Sequence, residues 1–193
     1  MSRGPRVAVV VFPGTWSERD FMDVAPSIGW EARLVWHAEP ELGAVDAVVL
    51  PGVLLRNDHL QFRCDWQWLR VERAVGPWLA AEEVDAGDVV RLPISHGEGR
   101  YHADPDVLDE LERSGRVALR YADADGRVVP DANPNGSLNA IAGIVSSGGN
   151  VLGLMPHPER ATDPEVGGTD GLRLLRSLDR WLLAQPAAAE RRL

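Results

Sequence analysis

The sequence predicts an α/β fold: a parallel sheet flanked by helices, followed by an antiparallel extension. Three observations predict it. The run Val7–Phe12 is apolar throughout, as in a parallel strand buried on both faces. Phe21, Val24, Ala25 and Ile28 then recur at helical spacing, and further apolar runs follow at 31–36 and 46–50, which is the alternation of β-α-β units. From Val53 onward the chain breaks into short pieces of alternating polarity, the mark of antiparallel strands with one wet face.

In chain order, residues 6–12 form the first strand and Glu18–Ile28 the first helix, whose end Pro26 disturbs because proline has no N–H to donate. Strands at 31–36 and 46–50 complete the parallel part. The antiparallel pieces are 60–72, 88–94, 116–122 and 127–130. In the first of them Leu60, Phe62, Cys64 and Trp66 alternate with Gln61, Arg63, Asp65 and Gln67. That pattern predicts a half-buried strand with Cys64 as a small buried thiol. Asp104 and Pro105 suit the N-cap and first turn of a helix over 106–113. Ala140–Ser146 and Asn150–Leu154 form a closing hairpin around Gly148-Gly149. The last helix, 169–184, carries Leu172, Leu175, Leu178 and Leu182 as its core stripe. Most of the seven tryptophans are expected in core or interface area. A single domain over 1–185 and a disordered tail, 186–193, complete the organisation.

Composition narrows the function classes. A chain of 193 residues with 45% hydrophobic residues can bury one sizeable core. No apolar run approaches a membrane span, and the first residues lack a signal-peptide hydrophobic stretch, so a cytoplasmic location is expected. One cysteine excludes an intramolecular disulfide and a cysteine-rich metal site. Every basic residue is arginine apart from the histidines, which excludes a lysine Schiff base. A net charge of −9 argues against a nucleic-acid partner, which needs a basic face.

The chemistry lies at Leu154-Met155-Pro156-His157-Pro158-Glu159-Arg160. Val151–Met155 reads as a buried strand that Pro156 ends, so His157 and Glu159 project from a strand end, where open α/β sheets place their sites. Alternation puts residues i and i+2 on one side of an extended segment, so imidazole and carboxylate can meet. A carboxylate that holds a histidine in one tautomer is the rear half of a nucleophile–histidine–acid triad. Ser95-His96-Gly97-Glu98-Gly99-Arg100 has the glycines of a phosphate-cradling loop but lacks the helix and lysine that would follow in a P-loop. His96 is open to a supporting role in a site or to a purely structural one.

The His-Pro-Glu segment resembles the C-terminal catalytic signature of class I, triad-type glutamine amidotransferases. Five other pieces resemble one branch of them, the PurQ family: Val7–Gly14 with Glu18-Arg19-Asp20, Ala47–Gly52, Leu54-Leu55-Arg56-Asn57, Arg91–Tyr101, and Asn133–Ser137 leading into Ile141–Ile144. The resemblance runs in order from about residue 7 to residue 183. It implies a class I glutamine-amidotransferase-like (flavodoxin-like) fold and the glutaminase subunit of phosphoribosylformylglycinamidine synthase. By resemblance His157 and Glu159 are catalytic. The implied partners are glutamine and two further subunits, the large synthetase and a small third one. ATP and magnesium are used by the synthetase, with no cofactor in this chain, and the 95–101 loop lies near the glutamine pocket or the docking surface.

The chain also departs from the family. A member carries, after the strand ending Leu50-Pro51-Gly52, a second glycine, an oxyanion loop, a helix and a central strand ending in a Gly-Ile-Cys-Asn-Gly nucleophile elbow. Here Pro51-Gly52 runs directly into Val53-Leu54-Leu55-Arg56-Asn57. More than one strand–helix unit is missing, and such units take roughly 30 residues. Trp16-Ser17 also stands where the family has Asn-Cys. Cys64 is not flanked by the glycines of an elbow. The chain therefore keeps base and acid and lacks the nucleophile. The readings that follow are an inactive glutaminase by descent or a non-catalytic synthetase-binding module. A different hydrolase on a related fold is disfavoured by the long 91–101 and 133–137 matches.

Overall fold

The computed structural model describes residues 4–11, 18–49, 54–74, 76–79 and 83–184. The junction at 52–53, Trp16-Ser17 and the tail 186–193 lie outside them. The chain holds two compact units, which divide between Gly52 and Val53 and again between Leu178 and Asp179.

The first unit holds a three-stranded parallel sheet of β1 (Arg6–Val11), β2 (Glu31–Trp36) and β3 (Ala47–Val49), in the order β2-β1-β3. Val7, Ala8, Val9 and Val10 of the central strand are buried, as the continuous apolar run requires. Helix α1 (Glu18–Val24) stops where Pro26 begins a tighter 3-10 turn, Ala25–Ile28, which Gly29 closes in the left-handed conformation at φ 82°. Trp30 is buried against Phe21 and donates its indole N–H to Asp179 at 2.8 Å. β2 is the less buried strand, with Leu34 and Trp36 exposed. Among the described residues β3 pairs only with β1, leaving its outer edge without a strand.

The second unit is a five-stranded antiparallel sheet in the order β5-β4-β6-β7-β8, from β4 (Arg63–Val71), β5 (Val89–His96), β6 (Val117–Ala122), β7 (Ile141–Val145) and β8 (Leu152–Leu154). Leu69, Val71, Val90, Leu92, Ile94, Leu119 and Tyr121 form its core, with Leu174 of α3 (Asp170–Ala184) packed in. Helix α2 (Pro105–Arg113) starts at Asp104 as predicted, although the Asp104 side chain makes no capping bond.

Several local expectations need correction. In β4 the buried residues are Leu69 and Val71, on the opposite parity to Leu60, Phe62 and Cys64, which are exposed. Alternation was present, but the core took the other face. Residues 127–130 form no strand: Asp123 and Arg127 close a turn through Asp123 N–H to Arg127 O, and Pro130 opens a 3-10 turn. The run at 151–155 is a half-buried edge strand rather than a buried one. In α3 Leu175 and Leu178 are buried as expected, Leu172 and Leu182 are only half-buried, and Leu174 joins the core. Of the described tryptophans only Trp30 is buried, and Trp36, Trp68 and Trp181 are exposed.

Unpaired strand edges and exposed apolar side chains promote association. The chain is therefore expected to scatter light as more than one copy and to unfold at a lower temperature than a full-length relative. A monodisperse monomer with one cooperative transition at the relative's midpoint would show that the sheet edge is harmless. Within the second unit, Leu92→Ala is expected to cost about 2–5 kcal/mol in chemical denaturation, because Leu92 is fully buried.

Candidate active site

His157 and Glu159 are brought together, with His157 Nδ1 2.7 Å from Glu159 Oε1. Both side chains are sheltered, at 14% and 8% exposure. The contact arises from a turn rather than from strand alternation. His157 is extended (φ −101°, ψ 91°), and Pro158–Arg160 then form a 3-10 turn. Pro158 suits this turn because its fixed φ and missing N–H fall where no donor is needed. An ionised carboxylate only accepts, so the ring hydrogen sits on Nδ1 and Nε2 faces away from Glu159.

Two elements hold this turn. β5 is an edge strand, and Pro93 on it offers no N–H to a further strand. Its carbonyl accepts the His157 backbone N–H at 2.8 Å, and two residues earlier the Arg91 N–H donates to Asp170 Oδ2 at 2.8 Å. On the other side Gly171 N–H donates to Ala161 O at 2.8 Å. A Cβ at Gly171 would fall onto the carbonyl oxygens of Pro158 and Ala161, so only glycine lets α3 approach this closely.

Beside the turn lies a buried polar cluster that gathers three of the family-like stretches. Asn57 is fully buried and donates through Nδ2 to Gln61 O (2.8 Å) and His96 O (3.0 Å). Its Oδ1 accepts from Gly99 N–H at 3.1 Å and from His96 Nδ1 at 3.0 Å. Asn135, also fully buried, donates to Gly99 O (2.7 Å) and to the Tyr121 hydroxyl (3.3 Å), and accepts from the Ser137 hydroxyl at 2.7 Å. The loops 54–57, 95–100 and 133–137 thus close on one another through side-chain amides, each bonded as a buried amide must be.

The loop amides decide the reading of the glycine segment. Gly99 N–H goes to Asn57 and Arg100 N–H to Leu55 O, so neither is left to cradle a phosphate. Gly99 is glycine for another reason: a Cβ there would enter the His96 ring. Cys64 lies on β4, exposed, and on no strand-to-helix turn. Asn57, Asn135 and Gly171 were not singled out as individual residues from sequence. The first two sat inside matched stretches, while Gly171 carried no signal. Among the described residues no cluster of His, Cys, Asp or Glu could hold a metal ion.

Burial, and secondly the charge of His157, lower the His96 pKa from its ordinary 6.5 to about 4. His96 is thus neutral near pH 7. Burial likewise raises the Tyr121 hydroxyl above its usual range.

Comparison with known proteins gives a consistent picture. The CobB/CobQ-like glutamine amidotransferase domain matches residues 40–167. The phosphoribosylformylglycinamidine synthase subunit PurQ of Thermomicrobium roseum is 40% identical, with 90% of this chain and 94% of that protein aligned. The same subunit of Thermosynechococcus vestitus is 41% identical over 92% of this chain and 97% of that protein. Among solved structures, a chain of PurLQS from Thermotoga maritima superposes with a TM-score of 0.77 at 28% identity, covering 93% of this chain and 99% of that one. A GMP synthase-like protein from Thermoplasma acidophilum shares the fold alone, at a TM-score of 0.51 and 12% identity, over 95% of this chain and 96% of that one.

Two outcomes follow from the site. Gly171→Val should destabilise by about 1–3 kcal/mol through overpacking and should weaken the protection of the His157 amide in hydrogen exchange. For His96, the unfolded chain binds the extra proton below about 6.5 while the folded chain resists it down to about 4. Its contribution to stability is complete above about pH 6.5, declines as the pH falls, and is gone below about 4. Urea unfolding over that window should show a shallower decline for His96→Gln.

Proposed function

The chain belongs to the PurQ family, and on that premise we propose that it is the glutaminase subunit of a phosphoribosylformylglycinamidine synthase by descent, reduced to a form that hydrolyses no glutamine. The observation that carries this reading is the sheltered 2.7 Å contact between His157 Nδ1 and Glu159 Oε1, in a chain whose single cysteine lies elsewhere.

Triad hydrolysis of glutamine needs a thiolate to attack the side-chain carboxamide, donors to receive the oxyanion, and a base that takes the thiol proton and returns it to departing ammonia. In this reading His157 is that base and Glu159 the carboxylate that orients it, which their 2.7 Å contact supports. Cys64 sits on an exposed strand face without the glycines of an elbow, so the thiolate has no counterpart. The alignments support a missing segment. They run over 225 and 238 positions against the 193 residues of this chain, so the relatives have residues that find no match here.

In this reading the chain takes its place in cytoplasmic purine biosynthesis beside the large synthetase subunit, which uses ATP and magnesium to aminate formylglycinamide ribonucleotide, and beside a small third subunit. A second reading has its own support. The buried Asn57–His96–Asn135 cluster still ties its three loops together in a chain without an elbow cysteine, which suits a non-catalytic module that still occupies the synthetase.

Glutamine hydrolysis by the purified chain should stay at background, on the order of 10⁶-fold below a full-length relative, with synthetase present or absent. Cys64→Ser should change nothing. Hydrolysis that disappears in Cys64→Ser would make Cys64 a substitute nucleophile and sink the proposal. Co-sedimentation with the synthetase separates the second reading from a chain that has lost both roles. Sequencing the locus across Leu50–Leu55 should find no Gly-x-Cys-x-Gly segment.

A further inference from the structure

We propose that the outer face of β4 and β5 is a protein-docking surface anchored by Arg91, and that its occupant is a carboxylate flanked by apolar groups on the large synthetase subunit. The sequence writes an apolar stripe on the parity of Phe62, Cys64, Trp66 and Trp68, while the core takes the other parity. Phe62 is 66% exposed and Trp68 37%, with Trp66 half-buried. Arg91 is the register partner of Trp68 across the β4–β5 ladder, so both side chains stand on this face. Its guanidinium carbon lies 5.2 Å from the centre of the Trp66 ring and 5.4 Å from that of Trp68. Contiguous exposed apolar side chains mark interaction sites, and tryptophan and arginine are the residues that most often carry the binding energy of an interface.

Charge identifies the occupant. Arg91 Nε is cut off from solvent and meets no acceptor among the described residues, and no carboxylate among them pairs with the guanidinium. Asp170 accepts from the Arg91 backbone N–H, not from its side chain. Arg70, on the same face of β4, is already matched by Glu72 and Gly126 O. A sheltered donor without an acceptor costs desolvation until one arrives. An arginine stacked on aromatic faces keeps its planar edge for a carboxylate, which it can meet with two parallel bonds. The indole it stacks on is held in place: Gly167 (φ 122°) and Gly168 lie against Trp66, and a Cβ on Gly167 would enter the ring. Side chains ordered beforehand lose less freedom on binding. From Phe62 to Trp68 the stripe runs for about 20 Å at the rise of a strand, which suits a protein surface rather than a small acid. This rests on the reading of the chain as a module that still occupies the synthetase.

The test is the affinity of the full chain for the purified large synthetase subunit, measured by sedimentation. Arg91→Met, Arg91→Lys and Trp68→Ala are compared with Val107→Ser, which alters an exposed apolar residue on α2. Arg91→Met and Trp68→Ala should each weaken binding roughly tenfold or more. Arg91→Lys should fall between, and Val107→Ser should bind as the unsubstituted chain does. Added salt should weaken the unsubstituted chain more than Arg91→Met, because an ion pair is screened. Full binding by Arg91→Met and Trp68→Ala overturns the inference and leaves the module reading standing. So does an equal loss in Val107→Ser, or a salt response that Arg91→Met shares in full. An unsubstituted chain that does not bind overturns both. Circular dichroism checks that each variant is folded, and if Arg91→Met is not, Trp68→Ala and the salt response of Arg91→Lys decide.

Discussion

The site depends on how the free edge of β5 is closed. An edge strand offers unpaired backbone groups, and proteins cover or blunt them. Here the blunting and the chemistry share residues. Pro93 removes a donor from the edge, its carbonyl takes the His157 N–H, and Arg91 N–H is taken by Asp170 at the start of α3. The turn that carries the imidazole and its carboxylate is therefore held to a rigid strand on one side. On the other it is wedged beneath a helix that Gly171 allows to come close. A pair built this way has its geometry set by backbone bonds, which side-chain repacking elsewhere does not easily disturb.

The second constraint is polar burial. Asn57, Asn135, His96 and Ser137 lie inside the protein, where each unmade hydrogen bond is costly. Their amides solve this by binding the loops that carry them, so the Leu-Leu-Arg-Asn, His-Gly-Glu-Gly and Asn-Pro-Asn-Gly-Ser stretches are parts of one arrangement. Gly99 lies against the His96 ring and bonds Asn57 through its N–H and Asn135 through its carbonyl. A single side chain at that position would disturb all three. Among the described residues His96 Nε2 is the one side-chain polar atom of the cluster left unmatched.

The two units differ in how complete they are. The antiparallel unit has a continuous core, from Leu69 and Leu92 to Tyr121 and Leu174. The parallel unit has a buried central strand, but β2 is largely exposed and β3 is three residues long at the sheet's edge. Parallel sheets depend on cover from both faces. In this sheet β1 keeps its cover, with Val7–Val10 buried, while β2 leaves Leu34 and Trp36 exposed.

The sequence by itself determined the parallel and antiparallel parts, the central place of Val7–Val10, most strand positions and the pairing of His157 with Glu159. These rest on local information: apolar runs, periodicity, prolines and a two-residue spacing. It also determined that the single cysteine, Cys64, has no flanking glycines. Only the tertiary structure decided which face of β4 is buried, because Leu69 and Val71 found core partners while Leu60, Phe62 and Cys64 did not. Only it showed that 127–130 turns away from the sheet, that the His157–Glu159 contact comes from a 3-10 turn, and that Asn57 bonds the His96 ring. Each of these depends on residues distant in the chain, and local pattern carries no record of what a side chain will meet once the chain has folded.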